Sequence, residues 1–231
     1  MTTPTGPDLQ PSYLEHRAIR VDAARLRQLV VDSRPADAPR LTALGDWYGH
    51  YERAIHDHHR AEEAVIYPAL LDRDPSFVDA DGALEGEHRV LIDRLAVMRE
   101  SIAGLAAAAG GGRWERERDE AARAADALLA IVGTHLDHEE ATAFPRYTAA
   151  FTAAEFDALG RAAFKLVGAR SMVFGAPWVL DHTDDAERAA LLGPQPLILR
   201  VVYRLVWRPK YDRLARPLRR GDAPTPAHPE D

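Results

Sequence analysis

Two stretches of the chain, HHRAEEAVIYP from His58 to Pro68 and HLDHEEATAFP from His135 to Pro145, carry His, Glu, Glu, Ala and Pro at identical offsets, with Tyr67 opposite Phe144. A shorter echo accompanies them: Glu-His-Arg stands at 15 to 17 and again at 87 to 89. The chain therefore reads as two helical hairpins, each giving one histidine from its first helix and a His-x-x-x-Glu pair from its second. Ala, Leu, Arg and Glu dominate the stretches between Pro and Gly, and alternating β-branched runs are missing, so the fold class is all-α. A first helix is expected from a capping box at Ser12 and Glu15, with Leu14, Ala18, Val21, Leu26 and Leu29 on one apolar face to about Asp32. The second should run from about Thr42 to Leu70 with Pro68 bending or ending its last turn, followed by a turn over Asp72 to Pro75. The third spans Ala83 to Ala107 and is closed by Gly110 to Gly112; the fourth runs from Trp114 to Tyr147 with Pro145 near its end. Four such helices make an up-down antiparallel four-helix bundle over residues 10–150.

The spacing has a chemical consequence. Residues four apart on an α-helix lie about 40° apart around the axis and roughly 6 Å apart along it, so His58 with Glu62, and His135 with Glu139, project side by side. Antiparallel helices then bring His16, His58, His88 and His135 toward one centre, where Glu62 and Glu139 can bridge two cations. Cysteine is absent, which leaves nitrogen and oxygen as the only ligands. Neutral imidazoles with carboxylates suit iron, manganese or zinc.

This pattern, a histidine, then His-x-x-x-Glu, a histidine, then His-x-x-x-Glu, with Tyr67-Pro68 and Phe144-Pro145 after the pairs, resembles the hemerythrin-like, or HHE cation-binding, family. The resemblance covers about residues 10 to 150. It implies a bundle enclosing a non-haem di-iron centre, with His16, His58, His88 and His135 as terminal ligands, Glu62 and Glu139 as bridges, and manganese or zinc as less favoured occupants. Oxygen-carrying hemerythrins are similar but have a second histidine four positions after the first on the third helix, where this sequence has Ile92. The departure implies an open metal position for water, hydroxide or peroxide and argues against reversible oxygen carriage. The carriers' spacing on the fourth helix would select Glu140 as the carboxylate ligand; the internal repeat selects Glu139.

Beside the six stand further candidates. His56, His59 and His138 lie about 100° or more from the ligand directions; His56 and His138 read as solvated or outer hydrogen-bonding groups and His59 as a reserve ligand. Glu63 and Glu140 read as solvated or as partners of the ligands. Tyr51, two turns before His58 on the same face, is either a core tyrosine with its hydroxyl satisfied or a donor or phenolate at an open iron position. Trp47 and Tyr48 read as packing residues.

Residues 151–222 form a helical extension expected to pack on the bundle. A capping box at Thr152 and Glu155 opens a fifth helix to about Val173, Gly175 to Trp178 turns the chain, and a short helix follows from Asp184 to Leu192. Leu197 to Trp207 is amphipathic, with Arg200, Arg204 and Arg208 at four-residue spacing; its apolar face is expected to dock on the bundle, the alternative being an anionic membrane surface or a partner protein met through residues 197–220. The Pro-rich tail, residues 223–231, reads as disordered. The formal charge is -7, but Arg200 to Arg220 carries +7, leaving -14 elsewhere. That balance argues against nucleic-acid binding. No signal peptide precedes Pro4 and Pro7 and no run of about 18 apolar residues occurs, so a cytoplasmic protein is expected. Two function classes fit: a di-iron oxidoreductase (oxidase, oxygenase or catalase-like) acting with oxygen, hydrogen peroxide or nitric oxide, and a non-enzymatic sensor of iron, oxygen or nitric oxide signalling through its extension. A deep pocket walled by the extension beside the metal would favour the first, an exposed apolar patch on residues 197–207 the second.

Overall fold

The computed structural model describes residues 6–219, and among them every regular element is helical. α1 spans Gln10–Val31, and α2 spans Ala38–Ala61 and continues through a π-helical turn, Glu62–Ile66, into α3, Tyr67–Arg73. A 3-10 turn at Pro75–Phe77 leads into α4, Val78–Ala107, and α5 is Trp114–Ala150. The first two helices begin earlier than expected because Pro11 and Pro39 occupy their first turns, where a missing N–H and a fixed φ favour initiation. Ser12 consequently lies inside α1 and forms no cap, and Val21 faces outward while Leu14, Ala18, Leu26 and Leu29 are buried.

Consecutive long helices run antiparallel. Arg20 and Arg27 of α1 reach Asp137 and Asp126 of α5, Gly45 of α2 meets Ile102 of α4 while His59 meets His88, and Gly104 of α4 meets Glu117 of α5 while His88 meets His135. One apolar cluster, including Ile19, Leu26, Trp47, Ile55, Leu91, Met98, Leu128 and Val132, fills the space between the four. A second cluster holds Tyr67, Leu70, Phe77, Leu84, Phe144, Tyr147 and Phe151. The histidine and glutamate positions fall where the two clusters meet in sequence on α2, α4 and α5, so a polar layer is enclosed between two apolar ones.

The π turn has a local cause. Pro68 lacks an N–H and its ring crowds the carbonyl four residues back, a strain relieved when the helix widens so that the Tyr67 N–H reaches Glu62 O. The same offset recurs in the extension, where Pro209 follows the π turn Tyr203–Trp207.

The extension folds as α6 (Ala153–Val167), α7 (Ala169–Asp181), α8 (Asp185–Leu192), α9 (Leu197–Val202), the second π turn, α10 (Arg208–Ala215) and a 3-10 turn, Arg216–Leu218. Thr152 and Glu155 form the expected capping box, as do Asp184 and Glu187. The expected single helix to Val173 is instead broken at Gly168, whose φ of 85° suits glycine. The turn expected at Gly175 to Trp178 does not occur: Pro177 lies within α7, where buried Phe174 and Trp178 hold the segment against the core. Docking also uses other residues than expected. Phe174, Trp178, Tyr211, Ala215 and Leu218 join the main apolar cluster, whereas Leu197, Ile198, Val201, Leu205 and Val206 are exposed. The expected disordered tail lies outside the described residues. No helix among those described is long and apolar enough to cross a membrane.

Candidate metal centre

Side chains from α1, α2 with its π turn, α4 and α5 converge in the polar layer. Nitrogen and carboxylate atoms of His16, His58, Glu62 and Glu139 form one group whose members all lie within 4.8 Å of one another, and those of His59, His88 and His135 form a second. His16 Nε2 is 3.3 Å from Glu139 Oε2, His58 Nε2 is 3.1 Å from Glu62 Oε1, and Glu62 Oε2 stands 3.5 Å from His88 Nε2, linking the groups. All but His58 are buried. The inward atoms His16 Nε2, His58 Nε2, His88 Nε2, His135 Nε2, His59 Nδ1, Glu62 Oε2 and Glu139 Oε2 have no hydrogen-bond partner. Buried polar atoms left so cost free energy unless a cation takes up their lone pairs.

The outward nitrogens of the four principal histidines each face a carboxylate. His16 Nδ1 lies 2.8 Å from Glu140, His88 Nδ1 2.7 Å from Glu63, His135 Nδ1 3.1 Å from Glu87 and His58 Nδ1 3.6 Å from Glu15. A carboxylate there fixes the hydrogen on Nδ1 and turns the Nε2 lone pair inward, the state a metal requires. The arrangement follows the repeat: Glu15 and Glu87, on the first helix of each hairpin, serve the histidine of their own second helix, while Glu63 and Glu140 serve the first-helix histidine of the other hairpin. Arg20 anchors Glu140 at 2.7 Å, and Glu87 also holds His138 Nδ1 at 2.9 Å.

Electrostatics follow from crowding charges in an apolar enclosure. Burial, and then the neighbouring imidazoles, hold His88 and His135 down at about 4 and His59 well below its ordinary value, so all three are neutral with lone pairs free. Burial opposes protonation of His16 too, but Glu139 and Glu140 outweigh it and raise that ring to about 9. Glu62 is pushed well above the carboxylate range by burial and by Glu139, whereas Glu139, buried as deeply, is held at about 2 by His16. Two carboxylates this close do not both ionise without added positive charge.

Two residues, His59 and Ile92, stand otherwise than expected. His59, expected as a reserve ligand pointing aside, stacks on His88 with ring centroids 3.9 Å apart and contributes to the second group. α2 is wedged between α1 and α4, so adjacent residues serve different neighbours: His58 faces His16 and His59 faces His88. Ile92 is 38% exposed, and the third imidazole of the second group comes from His59. Tyr51 takes the core role of its two: its hydroxyl donates to Ile19 O at 3.0 Å and its ring stacks on Trp47. Glu139, not Glu140, carries its carboxylate among the converging atoms. Tyr67 and Tyr147 were not singled out as site residues; both hydroxyls are buried without partners and held well above the ordinary tyrosine value, by burial first and then by Glu62 and Glu139.

The hemerythrin HHE cation-binding domain model matches residues 13–147. The chain belongs to that family. No curated protein and no solved structure gives a match. The match ends within α5, and α6 to α10 lie outside it. Sequence reasoning missed Glu15 and Glu87 as partners of the ligands, although the repeated Glu-His dipeptide at 15–16 and 87–88 carried the signal. The domain's cation-binding character and this donor set agree: neutral imidazoles, two carboxylates and partnerless inward atoms fit a metal.

Proposed function

We propose that the four long helices form the family's up-down antiparallel bundle around two iron ions, and that the protein binds or reduces oxygen, hydrogen peroxide or nitric oxide. His16, His58, His88 and His135 would be terminal ligands, Glu62 and Glu139 bridges, and His59 an additional nitrogen ligand. A pair of ferrous ions held there would supply two electrons, which with two protons suffice to reduce hydrogen peroxide to two waters. The observation that carries the reading is the double ring of donors: inward atoms without partners, and outward nitrogens each facing a carboxylate. The protein groups orient lone pairs, exclude bulk water through the two apolar clusters, and hold protons at Tyr67 Oη and Tyr147 Oη beside the carboxylates. Anaerobic loading with ferrous iron, metal counting and absorption spectroscopy on adding each ligand test this. About two ions per chain with a spectral response to at least one ligand is expected; fewer than two ions, or indifference to all three, would sink it.

A second reading, a sensor, is favoured by one observation. Leu197, Ile198 and Leu205 are about 70% exposed on an extension that packs on α1 and α2. Sustained turnover of peroxide or oxygen with a reductant decides for the oxidoreductase; a single stoichiometric reaction that changes exposure of those residues decides for the sensor.

A further inference from the structure

Of the six principal ligands only His58 is not fully buried, and the space it meets is a cavity of about 410 Å³ between α1, α2 and the extension. Most of the wall is apolar, including Phe164, Val167, Met172, Leu192, Leu199 and Trp207, all from the extension. Glu15, Asp57 and His58 are on the wall, Ser171 donating to Asp57 and His58 Nδ1 standing 3.6 Å from Glu15, and among the described residues no lysine or arginine lines the cavity. Pockets of this size, apolar with a few convergent polar groups, are the usual form of small-molecule sites. The extension builds most of this one, and places it against the carboxylate and ring at one end of the metal centre.

We infer that the cavity binds an apolar organic molecule bearing a cationic amine, its hydrocarbon body along the extension and its head at Glu15 and Asp57 beside His58. An anionic head would meet two carboxylates with no compensating cation, whereas an ammonium is both charge-matched and a hydrogen-bond donor. The inference deepens the metal-centre reading by naming a class of organic substrate, yet it is tested apart from metal, since iron loading decides the centre and apoprotein binding decides the cavity.

Octylamine, octan-1-ol and octanoate are titrated into the full-length apoprotein by calorimetry and by tryptophan fluorescence, which Trp207 reports. Octylamine is expected to bind one per chain and at least tenfold more tightly than octanoate. Ala176→Trp, which fills the cavity, should weaken octylamine at least tenfold with unchanged circular dichroism, and Asp57→Asn should narrow the preference for amine over carboxylate. Absence of saturable binding, octanoate binding as tightly as octylamine, or full binding by a folded Ala176→Trp would overturn the inference. Should Ala176→Trp fail to fold, the three-probe comparison and Asp57→Asn still decide it.

Discussion

His16, His58, His88 and His135 each have one nitrogen turned inward and a carboxylate behind the other, and these environments give the apoprotein a defined pH response. With His88 and His135 at about 4 and His59 also depressed, the unfolded chain takes up protons below about 6.5 that the fold refuses, so stability falls on acidification. Glu62, with its pKa raised, works the other way across that window, one group against three. His16 at about 9 contributes stability that is complete below about 6.5 and is lost as pH rises through 9, and Glu62 adds to that loss. The melting temperature of metal-free protein should therefore peak near pH 6.5; a flat profile from pH 5 to 9 would contradict the assignment. Behind His135, Glu87→Gln keeps shape but removes charge and should weaken metal binding about 10- to 100-fold, read by competition with a chelator. Unchanged affinity would show that Glu87 plays no part. At this scale the sequence was most legible for the pairs His58 with Glu62 and His135 with Glu139, because helical spacing alone sets the members of each pair side by side. It was least legible for His59 and Glu87, whose roles depend on which neighbouring helix each faces, and a one-helix projection does not contain that.

Helices were legible in existence and order, and their boundaries moved where proline or glycine met tertiary packing. Pro68 was expected to bend or end its helix; instead a π turn absorbs it and carries the rod on to Arg73. Pro177 marked a turn by local rules, yet burial of Phe174 and Trp178 outweighs the roughly 3 kcal/mol that an interior proline costs. Gly168 is the break that local rules did not single out, because nothing in the sequence distinguishes it from Gly160 a few residues earlier. Their backbones do. Gly168 has φ 85°, whereas Gly160 is helical with open space where a Cβ would stand. Gly168→Ala should lower stability by about 1 kcal/mol or more, and Gly160→Ala should raise it by about 0.5–1 kcal/mol. Thermal melts of the two variants check this, and equal shifts of the same sign would refute the contrast.

For the whole molecule, the extension was expected to attach by an apolar face, and packing is what holds it, through other residues than 197 to 207. Arg208 and Arg219 pair with Asp181 and Asp212 inside the extension itself, part-buried, so this network ties the extension to itself and not to the bundle. The joint is instead Trp178 and Tyr211, both fully buried against the core of the four helices, with the Trp178 Nε1–H donating to buried Asp22 at 2.8 Å. Each such aromatic buries about 150–250 Å², or about 4–6 kcal/mol as an upper bound at 25 cal/mol per Å². Trp178→Ala should therefore cost about 3–5 kcal/mol, since it leaves a cavity and strips Asp22 of a donor. By contrast Leu197→Ser with Leu205→Ser should change stability by less than about 0.5 kcal/mol each, because both side chains are about 70% exposed. Truncation after Ala150 removes the joint entirely and uncovers Trp47 and Tyr51, so the shortened chain should melt well below the full one and bind an apolar dye. If truncation left the melting temperature unchanged while the double serine variant lowered it, the exposed face of α9 would be the stabilising contact and the packing described for Trp178 and Tyr211 would be wrong.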